Sequence, residues 1–274
     1  MVKIPTVHYL ETTLDNGLQV ILHRDNRVPL IHLTMHYRVG SSYEEPGKSG
    51  FAHLFEHLMF QGSEHVGPNE HGLYVDSAGG LWNATTSKDR TNYYETLSSN
   101  YLELGLWLEA DRMRSLKITE KNFENQRQTV IEEKKQSYDN QPYGLADLRF
   151  DELAYQNWAY GHPIIGSVKD LEKATLEDVS AFHEKYYQPG NATLVLTGDF
   201  DEQDALQKIR TYFEWPVTVP VPSLPDLTEA QQLEHVFEVI PDPLAVLPAV
   251  CLGYHMPPAG SRDHYALTML ALIL

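Results

Sequence analysis

Cysteine is almost missing from this chain: Cys251 is the only one in 274 residues. An internal disulfide and a thiol-only metal cluster are therefore both excluded, and the redox compartment stays open. Basic residues are also scarce, with 21 Lys and Arg against 38 Asp and Glu, a formal charge of −17. That balance argues against nucleic acid and against anionic membrane surfaces as partners. No apolar run approaches the roughly 18–20 residues that span a bilayer. Met1-Val-Lys-Ile-Pro5 lacks the apolar centre of a signal peptide, which suggests a cytoplasmic protein or one whose leader has been removed. There is no Gly-x-Ser-x-Gly. Gly47-Lys48-Ser49 looks like the end of a phosphate-binding loop, but that motif needs glycine where Ser42 stands.

What is present reads as an ordinary globular core, 42% hydrophobic and 22% charged. Asn16-Gly17 between apolar runs predicts a hairpin. Pro29 to Val39 alternates through Ile31, Leu33, Met35 and Tyr37 and predicts a strand. Asn69 to Ala78 reads as a helix. Leu81–Thr86 and Thr91–Leu97 read as two strands joined by a tight turn at Ser87–Arg90. Helices are expected over Ser99–Leu116, from Thr119 to about Tyr138, after Pro142, over Thr175–Tyr187 and over Glu202–Phe213, with a strand at Thr193–Thr197. Strands and helices mix without regular βαβ alternation, so an α+β layered fold is expected rather than a doubly wound sheet.

One stretch carries chemistry. Ser49 to Phe60, closed by Gln61-Gly62, reads as a helix of about three turns with Ser49 as its N-cap. It is apolar on nearly every side, the pattern of a buried helix. Its ionisable residues, His53, Glu56 and His57, share one stripe. Such groups are costly to bury unless compensated, and a divalent metal held by the two imidazoles would compensate them. Glu56 would then lie close enough to polarise a metal-bound water. The other histidines, among them His65, His71, His162 and His183, read as surface or structural.

A zinc site needs a third ligand, and Glu132-Glu133 offers two choices. With Phe123 at the centre of its helix's buried face, Val130 falls about 20° away, Glu133 about 80° away and Glu132 about 180° away. Glu133 can reach a neighbouring helix and Glu132 cannot.

His53-x-x-Glu56-His57 is the inverted zinc-peptidase motif, and Glu133 follows His57 by 76 residues. With Gly80–Glu95, Glu109–Arg114, Asn125–Val130, Asn140–Gly144 and His162–Ser167, this resembles the pitrilysin/insulinase family, in its bacterial processing-peptidase-like branch. The resemblance spans residues 10 to 274. It implies a mixed, largely antiparallel sheet packed with helices, as in mitochondrial-processing-peptidase-like metallohydrolase domains. It implies one zinc ion on His53, His57 and Glu133, and Glu56 as the base that activates water. Asn83 and Ala84 would lie on a strand along which an extended or unfolded peptide adds and is cleaved. Gln126, two turns before Glu133, is either packing or an amide supporting a ligand. Tyr93 and Tyr94 read as packing residues before substrate contacts.

The family also implies a second homologous half, or a partner subunit, closing over the site. Residues 1–215 would form the catalytic zinc domain and 216–232 a Pro-rich linker. Residues 233–274 would begin a second, non-catalytic domain. Pro248–His255 resembles the strand Pro29–His36. Asp263–Leu274 resembles the opening helix, with Leu267, Leu270 and Ala271 in place of the motif residues. The chain ends inside that apolar helix, which reads as a truncated fragment. The family's substrate-orienting Arg and Tyr would then lie beyond Leu274, and the fragment would be weakly active or a metal-binding subunit dependent on its other half. Relatives of this branch are often exported, so the bacterial periplasm stands beside the cytoplasm as a possible location.

Overall fold

The alternating segments pair into one six-stranded sheet: β1 (Leu10–Thr13), β2 (Gln19–Arg24), β3 (Leu30–Tyr37), β4 (Leu81–Thr86), β5 (Thr91–Ser98) and β6 (Ala192–Gly198). Their spatial order is β1-β2-β6-β3-β5-β4, with β2 and β6 parallel and every other pair antiparallel. This computed structural model describes residues 6–274. Met1–Pro5, read above for a signal peptide, lies outside them. The expected mixed, largely antiparallel sheet is what forms.

The first hairpin closes where the Asn-Gly pair predicts it. Leu14 N–H donates to Leu18 O at 2.9 Å, and Gly17 takes φ +89° in the three-residue loop between them. A left-handed residue at the end of such a loop is what glycine supplies without strain.

Period-two alternation decides which side of the sheet is buried. Along β3, Ile31, Leu33, Met35 and Tyr37 are buried, while His32, Thr34 and His36 face the other, half-buried side. Helices pack on the buried face, and ten α-helices follow along the described residues, the last of them off the sheet. They are α1 (Phe51–Leu58), α2 (Glu70–Ser77), α3 (Leu102–Ser115), α4 (Glu120–Lys134), α5 (Gly144–Ala154), α6 (Trp158–Gly161), α7 (Val168–Lys173), α8 (Leu176–Tyr186), α9 (Glu202–Phe213) and α10 (Arg262–Ile273). Leu106 of α3, Phe55 of α1, Val179 of α8 and Ile209 of α9 join the strand residues in one apolar cluster.

Several local expectations are corrected. The opening helix runs only from Phe51 to Leu58, with Gly50 and not Ser49 at its N-cap. Ser49 is drawn away because its hydroxyl donates to Asp170 Oδ2 at 2.6 Å. The helix begun by Thr119 is α-helical to Lys134 and then widens into a π-helical turn, Lys135–Asp139. Residues 248–255, which resemble β3 in sequence, form no strand, because no neighbouring strand offers them a ladder. The helix expected over 263–274 does form as α10, but none of its residues is buried. Between α9 and α10 the chain has no regular helix or strand. Among the described residues no helix is long and apolar enough to cross a membrane.

Candidate metal centre

Helix α1 lies with Phe51, Leu54, Phe55 and Leu58 in the core, each contributing roughly 1.5–3 kcal/mol by burial. Phe55 stacks on Phe182 and Tyr187 with ring centroids at 5.2 and 5.0 Å. This apolar anchorage opposes the cost of bringing the polar stripe out of water. His53 is buried, whereas Glu56 and His57 are half-buried.

Helix α4 packs beside α1, and its register starts from a reciprocal cap. Thr119 Oγ1 accepts from Asn122 N–H at 3.3 Å, and Asn122 Oδ1 accepts from Thr119 N–H at 2.7 Å. From there Phe123, Gln126 and Val130 fall on the buried face, and Glu133 continues that face one turn on. Its carboxylate meets both imidazoles, with Oε1 at 3.6 Å from His53 Nε2 and Oε2 at 3.3 Å from His57 Nε2. Glu132 points to solvent, pairing with Lys135 at 3.5 Å. Gln126 is buried, and its side chain makes no hydrogen bond to the histidines or to Glu133.

One ligand atom from each of His53, His57 and Glu133 lies within 4.8 Å of the others, which is room for a shared metal ion. Two imidazole nitrogens and a carboxylate oxygen are a donor set suited to zinc. Burial holds the His53 imidazole below its ordinary value, keeping the ring neutral as a ligand must be. The contact with His57 draws the Glu133 carboxyl below its usual range. Among the described residues His53 Nδ1 is buried without a partner, and packing holds the far side of that ring.

Glu56 reaches in another direction. Its Oε2 accepts from Thr86 Oγ1 at 2.6 Å, which ties the carboxylate to the end of β4 and leaves Oε1 free of that bond. Strand β4 is the sheet edge beside α1. Counting from the turn bond Ser87 N–H to Arg90 O (2.8 Å), the backbones of Thr86, Ala84 and Trp82 face the open edge. Asn83 therefore turns its backbone inward to β5, and its side-chain Oδ1 accepts from Ala84 N–H at 2.8 Å. Thr86 was not singled out from sequence, although period two puts it on the same face as Ala84. Tyr93 is fully buried and donates to Phe55 O at 2.9 Å, while Tyr94 packs on His32 across the sheet.

A second set of potential ligands, His71, Glu95 and Glu109, also lies within 4.8 Å. Its chemistry is different. Arg112 is bonded to Glu109 and sits 4.5 Å from the Tyr93 ring and 4.8 Å from that of Phe60, so a guanidinium already supplies the positive charge. Burial pushes Glu95 up to about 7 and His71 down to about 3, and the two share a 2.5 Å hydrogen bond. This is a structural network that ties α2 and α3 to β5.

A helix with His-x-x-Glu-His, a glutamate from a second helix and an open edge strand thus come together on one mixed sheet. The chain belongs to the insulinase family (peptidase family M16), whose model matches residues 19–168. The model of the peptidase M16 inactive domain matches residues 173–274. Zinc protease PqqE of Helicobacter pylori is 35% identical over 265 residues, which is 96% of this chain and 60% of that protein. An uncharacterized zinc protease of Rickettsia bellii is 28% identical over 200 residues, covering 73% of this chain and 48% of its own. The crystal structure of a protease from Helicobacter pylori superposes with a TM-score of 0.78 at 35% identity, over 82% of this chain and 55% of that one. The first half of the periplasmic protease PqqL from Escherichia coli shares the fold at a TM-score of 0.72 and 22% identity, over 80% of this chain and 49% of that one. This chain thus spans about half to three-fifths of these relatives.

Proposed function

We propose that this chain is the zinc-holding catalytic half of an endopeptidase that cleaves extended or unfolded peptides. The observation that carries the reading is the meeting of His53, His57 and Glu133 beside a glutamate tethered to an open strand edge. His53 and His57 of α1 and Glu133 of α4 would hold the ion. When bound, zinc would polarise the scissile carbonyl and lower the pKa of water. Glu56 would take the water proton on its free oxygen and return it to the leaving amine. A peptide adding to β4 would bond to the backbone of Ala84, displacing the Asn83 side chain that now occupies its N–H. Main-chain bonding of this kind gives affinity with loose sequence preference.

Replacing Glu56 by Gln tests the assignment. Cleavage of a quenched fluorogenic peptide should cease while zinc stays near one per chain, and chelation should abolish wild-type cleavage. Substantial turnover by Glu56→Gln would refute the role of Glu56.

A second reading is a metal-binding subunit that is inactive without its other half or a partner chain. Exposed apolar side chains in the C-terminal region favour it: Val250, Leu252, Tyr254, Leu272 and Ile273 are each more than 70% exposed. Zinc binding by this chain without cleavage, with cleavage restored on adding the second half, would select that reading.

A further inference from the structure

Helix α1 carries every group the proposed chemistry draws from one element, yet its own N-cap cannot hold it. Gly50 sits at φ +91° with no side chain to accept from the first turn. The acceptor comes from outside the helix. Gly50 N–H donates to Glu44 Oε2 at 2.9 Å, and Ala52 N–H donates to Glu44 Oε1 at 2.8 Å. The Glu44 side chain is fully buried, which is expensive for a carboxylate unless it is bonded on all sides.

His162, 118 residues away, completes that set. Its Nε2 lies 3.0 Å from Glu44 Oε2, its Nδ1 lies 2.6 Å from Trp158 O, and its ring stacks on Trp158 at 3.8 Å. A carbonyl only accepts, so Nδ1 carries a hydrogen, and one proton is shared between Nε2 and Glu44. The loop after His162 grips the same helix end. Ser167 N–H donates to Ser49 Oγ at 3.0 Å, and Ser49 in turn donates to Asp170. Gly166, at φ +74°, packs so close that a Cβ there would come within 2.5 Å of Gly50 Cα.

We propose that Glu44, held by His162, is the positioning residue of the metal-binding helix: its two oxygens set where α1 starts and how it tilts, and so the distance from His53 and His57 to Glu133. This rests on the zinc reading above. An eight-residue helix is only about two turns long, so an error at its start is carried to both imidazoles. Two oxygens engaging two different N–H groups define a direction as well as a point. The carboxylate also complements the positive end of the helix. Glu44 bonds neither the imidazoles nor Glu133, so it acts through the helix it holds.

The test measures zinc itself, by competition with a chromophoric chelator, on the whole chain, with thermal unfolding of the zinc-free protein alongside. In Glu44→Gln the amide nitrogen would meet either Gly50 N–H or Ala52 N–H, donor against donor. Zinc affinity should fall at least about tenfold, as for partners that orient metal ligands. His162→Gln keeps an amide donor for Glu44 and should stay within about threefold of wild type, whereas His162→Ala should fall further, toward about tenfold. Ile209→Ala, a cavity in α9 on an element that bears none of these groups, should lower the melting temperature and leave zinc affinity within about twofold. If Glu44→Gln folds and binds zinc like wild type, the proposal is overturned. It is also overturned if Ile209→Ala weakens zinc as much at a similar loss of melting temperature. Should Glu44→Gln fail to fold, wild-type zinc affinity in His162→Ala overturns it. A wild-type chain that binds no zinc overturns the metal reading and this inference with it, whereas wild-type binding with unaffected variants overturns the inference alone.

Discussion

Replacing Glu133 by Gln keeps the side chain's size and removes its charge, at the one point where α4 meets both imidazoles of α1. The Glu133 oxygens lie 3.6 and 3.3 Å from His53 Nε2 and His57 Nε2, the approach on which its proposed role as a direct ligand rests. Partners that merely orient a ligand cost about 10–100-fold in metal affinity when removed, so a direct anionic ligand should cost at least the upper end, ~2.7 kcal/mol. The neighbouring replacement, Glu132→Gln, is the internal control. That side chain is 56% exposed and pairs only with Lys135 and Gln136 on the surface, contacts worth under about 1 kcal/mol. Its zinc affinity should stay within about twofold, the two positions thus differing by well over tenfold. Chelator competition on the two variants, with zinc stoichiometry measured on the same samples, reads the difference directly. Equal losses, or a larger loss at Glu132, would refute the placement of Glu133 on the metal side of α4.

Acid should destabilise the fold through His183, whose ring packs on Phe55 and Tyr187 and which burial holds down to about 4 against an ordinary 6.5. Between pH 6.5 and about 4 an unfolded His183 binds the proton and the folded one does not, so the contribution of His183 to stability falls as pH falls through that window, by about 1.4 kcal/mol per unit, and levels off below it. Denaturant unfolding of His183→Phe across that range should show a shallower slope, and an unchanged slope would show that His183 contributes nothing. Arg112→Leu strands the buried Glu109 carboxylate and should cost roughly 3–5 kcal/mol. Asp204→Ala, which breaks the exposed pair with Lys208, should cost no more than about 0.5 kcal/mol. Similar urea midpoints for these two variants would contradict the structural role of the buried network.

Much of this molecule is legible from local periodicity. Alternation along Ile31, Leu33, Met35 and Tyr37 names the buried face of β3, and Thr119 marks the start of α4. The three-and-four spacing of His53, Glu56 and His57 states that α1 carries its ionisable groups on one stripe. A helical wheel separates Glu133 from Glu132, because helix phase is a property of one segment. Ser49 shows the limit of such reasoning: it has the composition of an N-cap, but its hydroxyl bonds Asp170, in α7, 121 residues away.

What remained was decided by tertiary structure, because a periodic pattern says which face is covered and never by what. β6 enters between β2 and β3, parallel to one and antiparallel to the other, an arrangement set by long-range pairing. Residues 248–255 alternate like β3 and still form no strand, since a strand exists only beside a partner. Thr86 meets Glu56, Glu44 meets the start of α1, and His162 meets Glu44 across separations of 30 residues, six residues and 118 residues. The motif helix thus announced its chemistry from sequence, while its third ligand candidate, its tethered glutamate and the anchor of its N-terminus became neighbours only when the chain folded.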